Sequence, residues 1–228
     1  MAARVAIYYA PLPDDPLTRL STVWLGRDPV TNASVGQPDI DNLPEITADP
    51  RLYGFHATLK PPMRLIEGTD WRDLMAAVRA MAANIAPFTL PPLSVQDLQG
   101  FLALRETEPS APLQALADTC VEALDHLRTP PTAEDLARRR KANLTPEQDT
   151  MLQRWGYPYV FSTWFFHMTL TRRLSPEERA HIKPAAEAWF APALTHTRHV
   201  GDICLFTQSA PGAAFVLAER VRLRGAKS

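Results

Sequence analysis

Two short segments of this chain carry side chains suited to moving protons at phosphorus: Phe55-His56-Ala57-Thr58-Leu59 and Phe166-His167-Met168-Thr169-Leu170. Both read Phe-His-x-Thr-Leu. A bare His-x-Thr arises by chance in a chain of this size, whereas matching flanks in two copies are not a casual coincidence. Strand side chains alternate between faces with a period of two. On that spacing Phe55, Ala57 and Leu59 face a core, and His56, Thr58 and Lys60 face away from it. In the second copy Phe166, Met168 and Leu170 face the core, while His167, Thr169, Thr171 and Arg173 share the other side.

Hydrolysis of a phosphodiester needs a base to take the proton of the attacking water and an acid to protonate the departing alkoxide. Histidine's ordinary pKa of about 6.5 lets one ring be neutral and another protonated near neutral pH, so two rings can divide that work. Thr58 and Thr169 can donate hydrogen bonds to the non-bridging oxygens. Lys60 and Arg173 would add positive charge. Tyr53, Tyr157 and Tyr159 would either stack on a base or sugar ring or pack beside the neighbouring Gly and Pro. The scheme requires neither metal nor cofactor. His196 and His199 stand three apart without a carboxylate or cysteine to complete a metal set, and they read as a loop pair.

The elements that must position these groups follow from periodicity and punctuation. Residues 4–10 read as a strand. Asp14 or Asp15 caps a helix that Gly26 ends. Residues 27–50 carry four prolines and form a long irregular loop, of the kind that serves function. A strand over residues 55–60 stops at Pro61-Pro62, which lack ladder donors. A helix runs from Thr69 or Asp70 to about Ala86, with Leu74, Val78, Met81 and Ile85 on its core face. Residues 88–97 and 100–106 read as strands, and residues 112–154 as helical pieces, so an insertion of helices occupies about 110–155. Within it Arg138-Arg139-Arg140-Lys141 reads as a solvated helix face. Residues 159–171 read as an aromatic strand. Ser175-Pro176-Glu177-Glu178 opens a helix to about Phe190, with Pro184 a point where it can kink. Strands near 200–207 and 214–223 close an α+β chain with antiparallel pairs.

Composition narrows the partners. The 228 residues are 46% hydrophobic and 21% charged, with net charge −1. That charge argues against long duplex nucleic acid and anionic membranes, and leaves a small anion held by local cations. No apolar run approaches the roughly 20 residues of a membrane span. The apolar start is too short for a signal peptide. Cys120 and Cys204, far apart and without metal spacing, read as reduced and buried in a cytoplasmic protein.

The two motifs, with residues 53–62 and 155–159 around them, resemble those of the two-histidine (2H) phosphoesterase superfamily, and within it the bacterial phosphonate-metabolism-associated branch. The resemblance spans nearly the whole chain, including the strand around residues 202–206. It implies a single bilobal domain over residues 1–228, two antiparallel β-sheets lining a central cleft with helices on the outer faces, and one His-x-Thr per lobe. It implies catalytic roles for His56 and His167, with Thr58 and Thr169 on the substrate. Lys60, Tyr53, Tyr157, Thr171 and Arg173 as substrate contacts rest on the strand and loop positions alone. The expected activity is metal-independent hydrolysis of a cyclic phosphodiester, of a nucleotide or a ribosyl phosphate, in phosphonate metabolism. The competing expectation is a non-catalytic module that binds a phosphate ester or an RNA end. No obligate protein partner is evident from the sequence.

Overall fold

The computed structural model describes residues 4–225. In chain order, β1 (Arg4–Tyr9) is followed by α1 (Pro16–Leu25), α2 (Leu43–Ile46) and α3 (Ala48–Tyr53). Next come β2 (Ala57–Met63), α4 (Trp71–Ala82), β3 (Phe88–Leu90), β4 (Leu93–Leu98) and β5 (Phe101–Glu106). The helices α5 (Ala111–Leu124), α6 (Ala133–Arg140) and α7 (Pro146–Trp155) intervene before β6 (Met168–Arg173). The chain ends through α8 (Pro176–Leu194), β7 (Arg198–Val200), β8 (Asp202–Gln208) and β9 (Phe215–Arg222).

The helix starts obey capping chemistry. The Asp15 carboxylate accepts from the Leu17 amide ahead of α1, and Gly26 ends that helix at φ 75°. Asp70 and Asp73 form a reciprocal box on α4, and Ser175 and Glu178 do so on α8 with Pro176 in the first turn. Helix α8 runs on through Pro184 and Pro192 to Leu194, past the end expected from the sequence.

All strand pairs are antiparallel, and the fold is α+β. One sheet has the order β2-β1-β8-β9, a second β4-β5-β6, and β3 pairs with β7 in a small third sheet. The third sheet was not anticipated. The strand expected over residues 88–97 breaks at Pro91-Pro92, which cannot donate to a ladder, and its halves join different sheets. Val5, Ile7 and Tyr9 of β1 share one continuous core with Leu74 and Val78 of α4, Leu113 and Leu116 of α5, Leu102 and Leu104 of β5, and Phe166. On its opposite face the four-stranded sheet carries a separate, largely aromatic patch built around Tyr8, Phe206 and Phe215.

The expected loop after α1 instead folds into α2 and α3 and is pinned by a buried arginine. Arg27 donates to the carbonyls of Arg51 (2.7 Å), Leu52 (3.3 Å) and Phe215 (3.0 Å). This fixes the approach of Tyr53 and Gly54 to β2.

Candidate active site

Both histidines sit one step ahead of their strands rather than within them: β2 begins at Ala57 and β6 at Met168. The aromatic strand expected over residues 159–171 is mostly irregular chain with a short helical turn at Phe161–Thr163. Each imidazole is fixed by the same local bond. His56 Nδ1 lies 2.9 Å from the Gly54 carbonyl, and His167 Nδ1 lies 3.1 Å from the Phe165 carbonyl. A carbonyl only accepts, so each Nδ1 carries the hydrogen and each neutral ring presents a bare Nε2. Two residues back, then, the main chain sets the tautomer in both motifs. Gly54 reaches its position at φ 75° and ψ 173°, a region essentially closed to side-chain-bearing residues.

The Thr58 hydroxyl donates to His56 Nε2 at 3.3 Å. The His56 ring stacks on Tyr8, with centroids 3.6 Å apart and planes at 17°. His167 stacks on Phe165 at 4.7 Å and meets the edge of Phe101 at 6.0 Å. Burial pushes the His56 pKa down to about 4, opposed by the Gly54 carbonyl and reinforced by the charge of nearby His167. Burial also lowers the His167 pKa, against the Phe165 carbonyl and with help from Arg105. The indole N–H of Trp164, just before the second motif, donates to the Thr58 carbonyl at 2.9 Å. The two motif segments are therefore tied to each other directly.

A cavity of about 250 Å³ is lined by His56, Tyr53, Phe101, Thr169, Thr171 and Arg173, with Arg172 beside them. The Tyr53 ring lies 6.5 Å from His56 and stacks on Phe215 at 5.6 Å. Arg172 is a cavity cation that the motif reading passed over; its guanidinium is held by Glu45 (2.7 Å) and Glu178 (3.0 Å).

Register shifts change what two of the expected contacts do: Lys60 leaves the cavity side, and Thr171 borders the cavity with its hydroxyl engaged by the backbone. Thr58 pairs with Tyr8, but Lys60 pairs with Ile7, so Leu59 is an extra residue in β2. Beyond that bulge the faces exchange. Lys60 points into the core at 1% exposure, where its ammonium donates to the Val121 carbonyl (3.0 Å) and to Asp125 (3.2 Å). It is a strut between β2 and α5, not a cleft cation. In β6 the register likewise slips, because Thr169 pairs with Ala103 and Arg173 with Phe101. There the Thr171 hydroxyl accepts from the Leu102 amide at 3.0 Å and mends the ladder, so this 1%-exposed side chain serves the backbone. Arg173 stays on the cavity side but is exposed and donates to the Gln99 carbonyl. Tyr157 is half-buried with the Arg139 guanidinium 4.6 Å above its ring, and the Tyr159 ring stands edge-on to it at 5.6 Å. Arg139 therefore leaves the solvated face expected of residues 138–141. No carboxylate pairs with it among the described residues, and burial lowers its pKa.

Cys120 and Cys204 are free and buried. No helix among the described residues is long and apolar enough to cross a membrane. Among the described residues no three His, Cys, Asp or Glu side chains gather where a metal ion could be held.

The model of a family described as "Protein of unknown function (DUF1045)" matches residues 58–216. A curated relative from Janthinobacterium sp. (strain Marseille), named ribose 1,5-bisphosphate phosphokinase PhnN, is 39% identical over 97% of this chain and 51% of its own length. One of the same name from Laribacter hongkongensis (strain HLHK9) is 34% identical over 96% of this chain and 52% of its own. The chain thus spans about half the length of the curated relatives it matches. Solved structures with a similar backbone include E. coli LigT complexed with NADP+, at TM-score 0.46 and 14% identity over 98% of this chain and 99% of that one. The protein TT0787 of Thermus thermophilus gives TM-score 0.46 and 15% identity over 98% and 100%.

Proposed function

Starting from a chain that belongs to the DUF1045 family of proteins of unknown function, we propose that it is a metal-independent phosphodiesterase of the two-histidine type acting on a cyclic phosphodiester. The observation that carries this reading is the matched pair of imidazoles. Each is held at Nδ1 by a main-chain carbonyl, each offers Nε2, and the Trp164 indole just before the second motif is bonded to the Thr58 carbonyl of the first. A site that only bound phosphate would have no use for two rings prepared in this way.

We assign His56 as the base and His167 as the acid. Burial holds the His56 pKa at about 4, which keeps its Nε2 free to accept a proton. In hydrolysis, water gives a proton to His56 Nε2 as its oxygen bonds to phosphorus. The bond from phosphorus to the leaving oxygen breaks, and that alkoxide takes the Nε2 proton of His167, which enters the reaction as the charged ring with both nitrogens protonated and leaves it neutral. Thr58 and Thr169 hold the non-bridging oxygens, so Thr58 must first leave its bond to His56.

For the substrate we favour a cyclic phosphate on a ribosyl phosphate or a nucleotide. The names of the longer relatives refer to ribose 1,5-bisphosphate, and opening a cyclic phosphate on ribose yields a ribosyl phosphate monoester, the same class of compound. In those relatives the named kinase activity would then belong to the half that this chain does not span. That pairing is also what favours a place in phosphonate metabolism. The test is a product screen with 2′,3′-cyclic nucleotides and ribose cyclic phosphates, with and without EDTA. Turnover should survive the chelator and fall by about 10²–10⁴ in His56→Ala and in His167→Ala. Activity abolished by EDTA, or retained in the double variant, would overturn the proposal.

A further inference from the structure

The second sheet carries a polar face that the paired motifs do not announce. Ala103 is opposite Thr169 and Leu104 opposite Met168, where the ladder ends, and the next residues along the two chains are Arg105 of β5 and His167 just ahead of β6. Directly paired residues point to the same face of a sheet. Phe101 confirms the direction, since two and four residues before Ala103 and Arg105 it meets the His167 ring edge-on and lines the cavity. On the far side of β5, Ser94 pairs with Arg105 and Gln96 with Ala103, and the Gln96 amide donates to the Ser94 hydroxyl at 3.1 Å. Gln96, Ala103 and Thr169 therefore form one row across the sheet, and Ser94 and Arg105 the next, which runs toward His167 at the start of β6.

Arg105 is the only cation in those rows. Its guanidinium lies 5.5 Å from the centre of the Phe165 ring, the ring on which His167 stacks. Its Nη2 reaches the Glu106 carboxylate at 3.3 Å, a long contact, and its Nε is buried without a hydrogen-bond partner among the described residues. A guanidinium so placed has donors to spare beside the ring assigned as the acid, and a fork of donors matches two phosphate oxygens. Its charge also acts on His167, whose pKa it helps to lower.

We infer that Arg105 is a substrate-binding residue that takes the phosphate oxygens on the His167 side of the cleft, with Ser94 and Gln96 forming the polar wall next to it. This rests on the reading of the cleft as a phosphodiester site. Charge there serves binding before the reaction and stabilises the dianionic product after it. Glu106 holds the guanidinium loosely until phosphate displaces it.

The deciding experiment measures binding of inorganic phosphate by calorimetry in wild type, Arg105→Gln and Arg105→Lys, with His167 titrated by NMR in each. Arg105→Gln should weaken phosphate binding at least about ten-fold, as expected for loss of a charge-assisted bond. Lysine, a point charge without the fork, should restore part of it. The His167 pKa should rise in Arg105→Gln and stay near wild type in Arg105→Lys, a change that loss of packing alone would not produce. Equal phosphate binding in wild type and Arg105→Gln, or no binding in wild type, would overturn the inference. Should the Gln variant not fold, the Lys variant decides: phosphate binding unchanged by the loss of the fork would count against it. These readouts need no turnover. A protein that binds phosphate through Arg105 yet opens no cyclic phosphate would sink the proposed activity and leave Arg105 in place. Turnover with phosphate binding indifferent to Arg105 would do the reverse.

Discussion

Acidification should unfold this protein earlier than its carboxylates alone would dictate, because His56 must be charged against its surroundings. The folded pKa of about 4 lies well below the ordinary 6.5. Between those values the unfolded chain binds more protons than the folded one, so stability is complete above pH of about 6.5 and drains away as pH falls through about 4. Integrating the difference over the step from about pH 7 to pH 5 gives a loss of about 2 kcal/mol from this one ring. Aspartates with lowered pKa, such as Asp135 and Asp149, lose their contribution only as pH drops through the acid range of free carboxylates. The window above about pH 5 thus belongs largely to histidine. Urea unfolding at stepped pH, in wild type and His56→Gln, measures it. The wild type should lose the additional 2 kcal/mol or so in that window, and the variant should be flatter by most of that amount. Parallel curves would refute the view that burial holds His56 neutral. The same shift moves the acid limb of kcat/KM for a cyclic phosphate toward pH of about 4, and the bell belongs to the coupled pair rather than to either ring.

Other outcomes follow from single contacts. Lys60→Met should cost about 1–3 kcal/mol in urea unfolding, since Asp125 keeps Arg128 while the Val121 carbonyl loses its partner, and kcat should change little; a variant of normal stability and lost activity would return Lys60 to the cleft. Gly54→Ala should destabilise by about 1–3 kcal/mol and reduce kcat, because the new Cβ meets the Pro29 Cβ at 3.0 Å in a backbone region that excludes it. Trp164→Phe should cost about 1 kcal/mol by removing the bond to the Thr58 carbonyl, and kcat should fall more than stability alone explains. Thermal melts beside initial rates would test both.

Local rules were legible where the chain's own neighbours decide the structure. Asp15, Gly26, Asp70 and Ser175 act at helix ends as their chemistry requires. The paired motifs were legible as a repeat, and the structure sets His56 and Thr169 on the wall of one cavity. Beyond the motif threonines the reading lost phase. An extra residue at Leu59 and a slip after Thr169 leave no mark in composition, yet they turn Lys60 inward and commit Thr171 to the Leu102 amide. The places of Arg105, which the reading passed over, and of Arg139, which it left on a solvated face, were not legible for a different reason. Their relevance depends on which strand lies beside β6 and on where the α6 turn settles over Tyr157, pairings of distant sequence that no short pattern carries. The prolines at 91 and 92 were the one readable warning that the expected strand over residues 88–97 was two.

The surplus residue at Leu59, the first of two register shifts along β2, makes this stretch of the strand a ruler of fixed length. Its first half serves the imidazole and its second half serves the hydrophobic interior, and the count between them decides which side chain goes where. Removing one residue between Thr58 and Lys60 would rotate everything downstream by half a turn, drawing the ammonium out of its berth and driving a neighbour in. An insertion or deletion here would consequently be felt as an unfolded protein before it was felt as an inactive one.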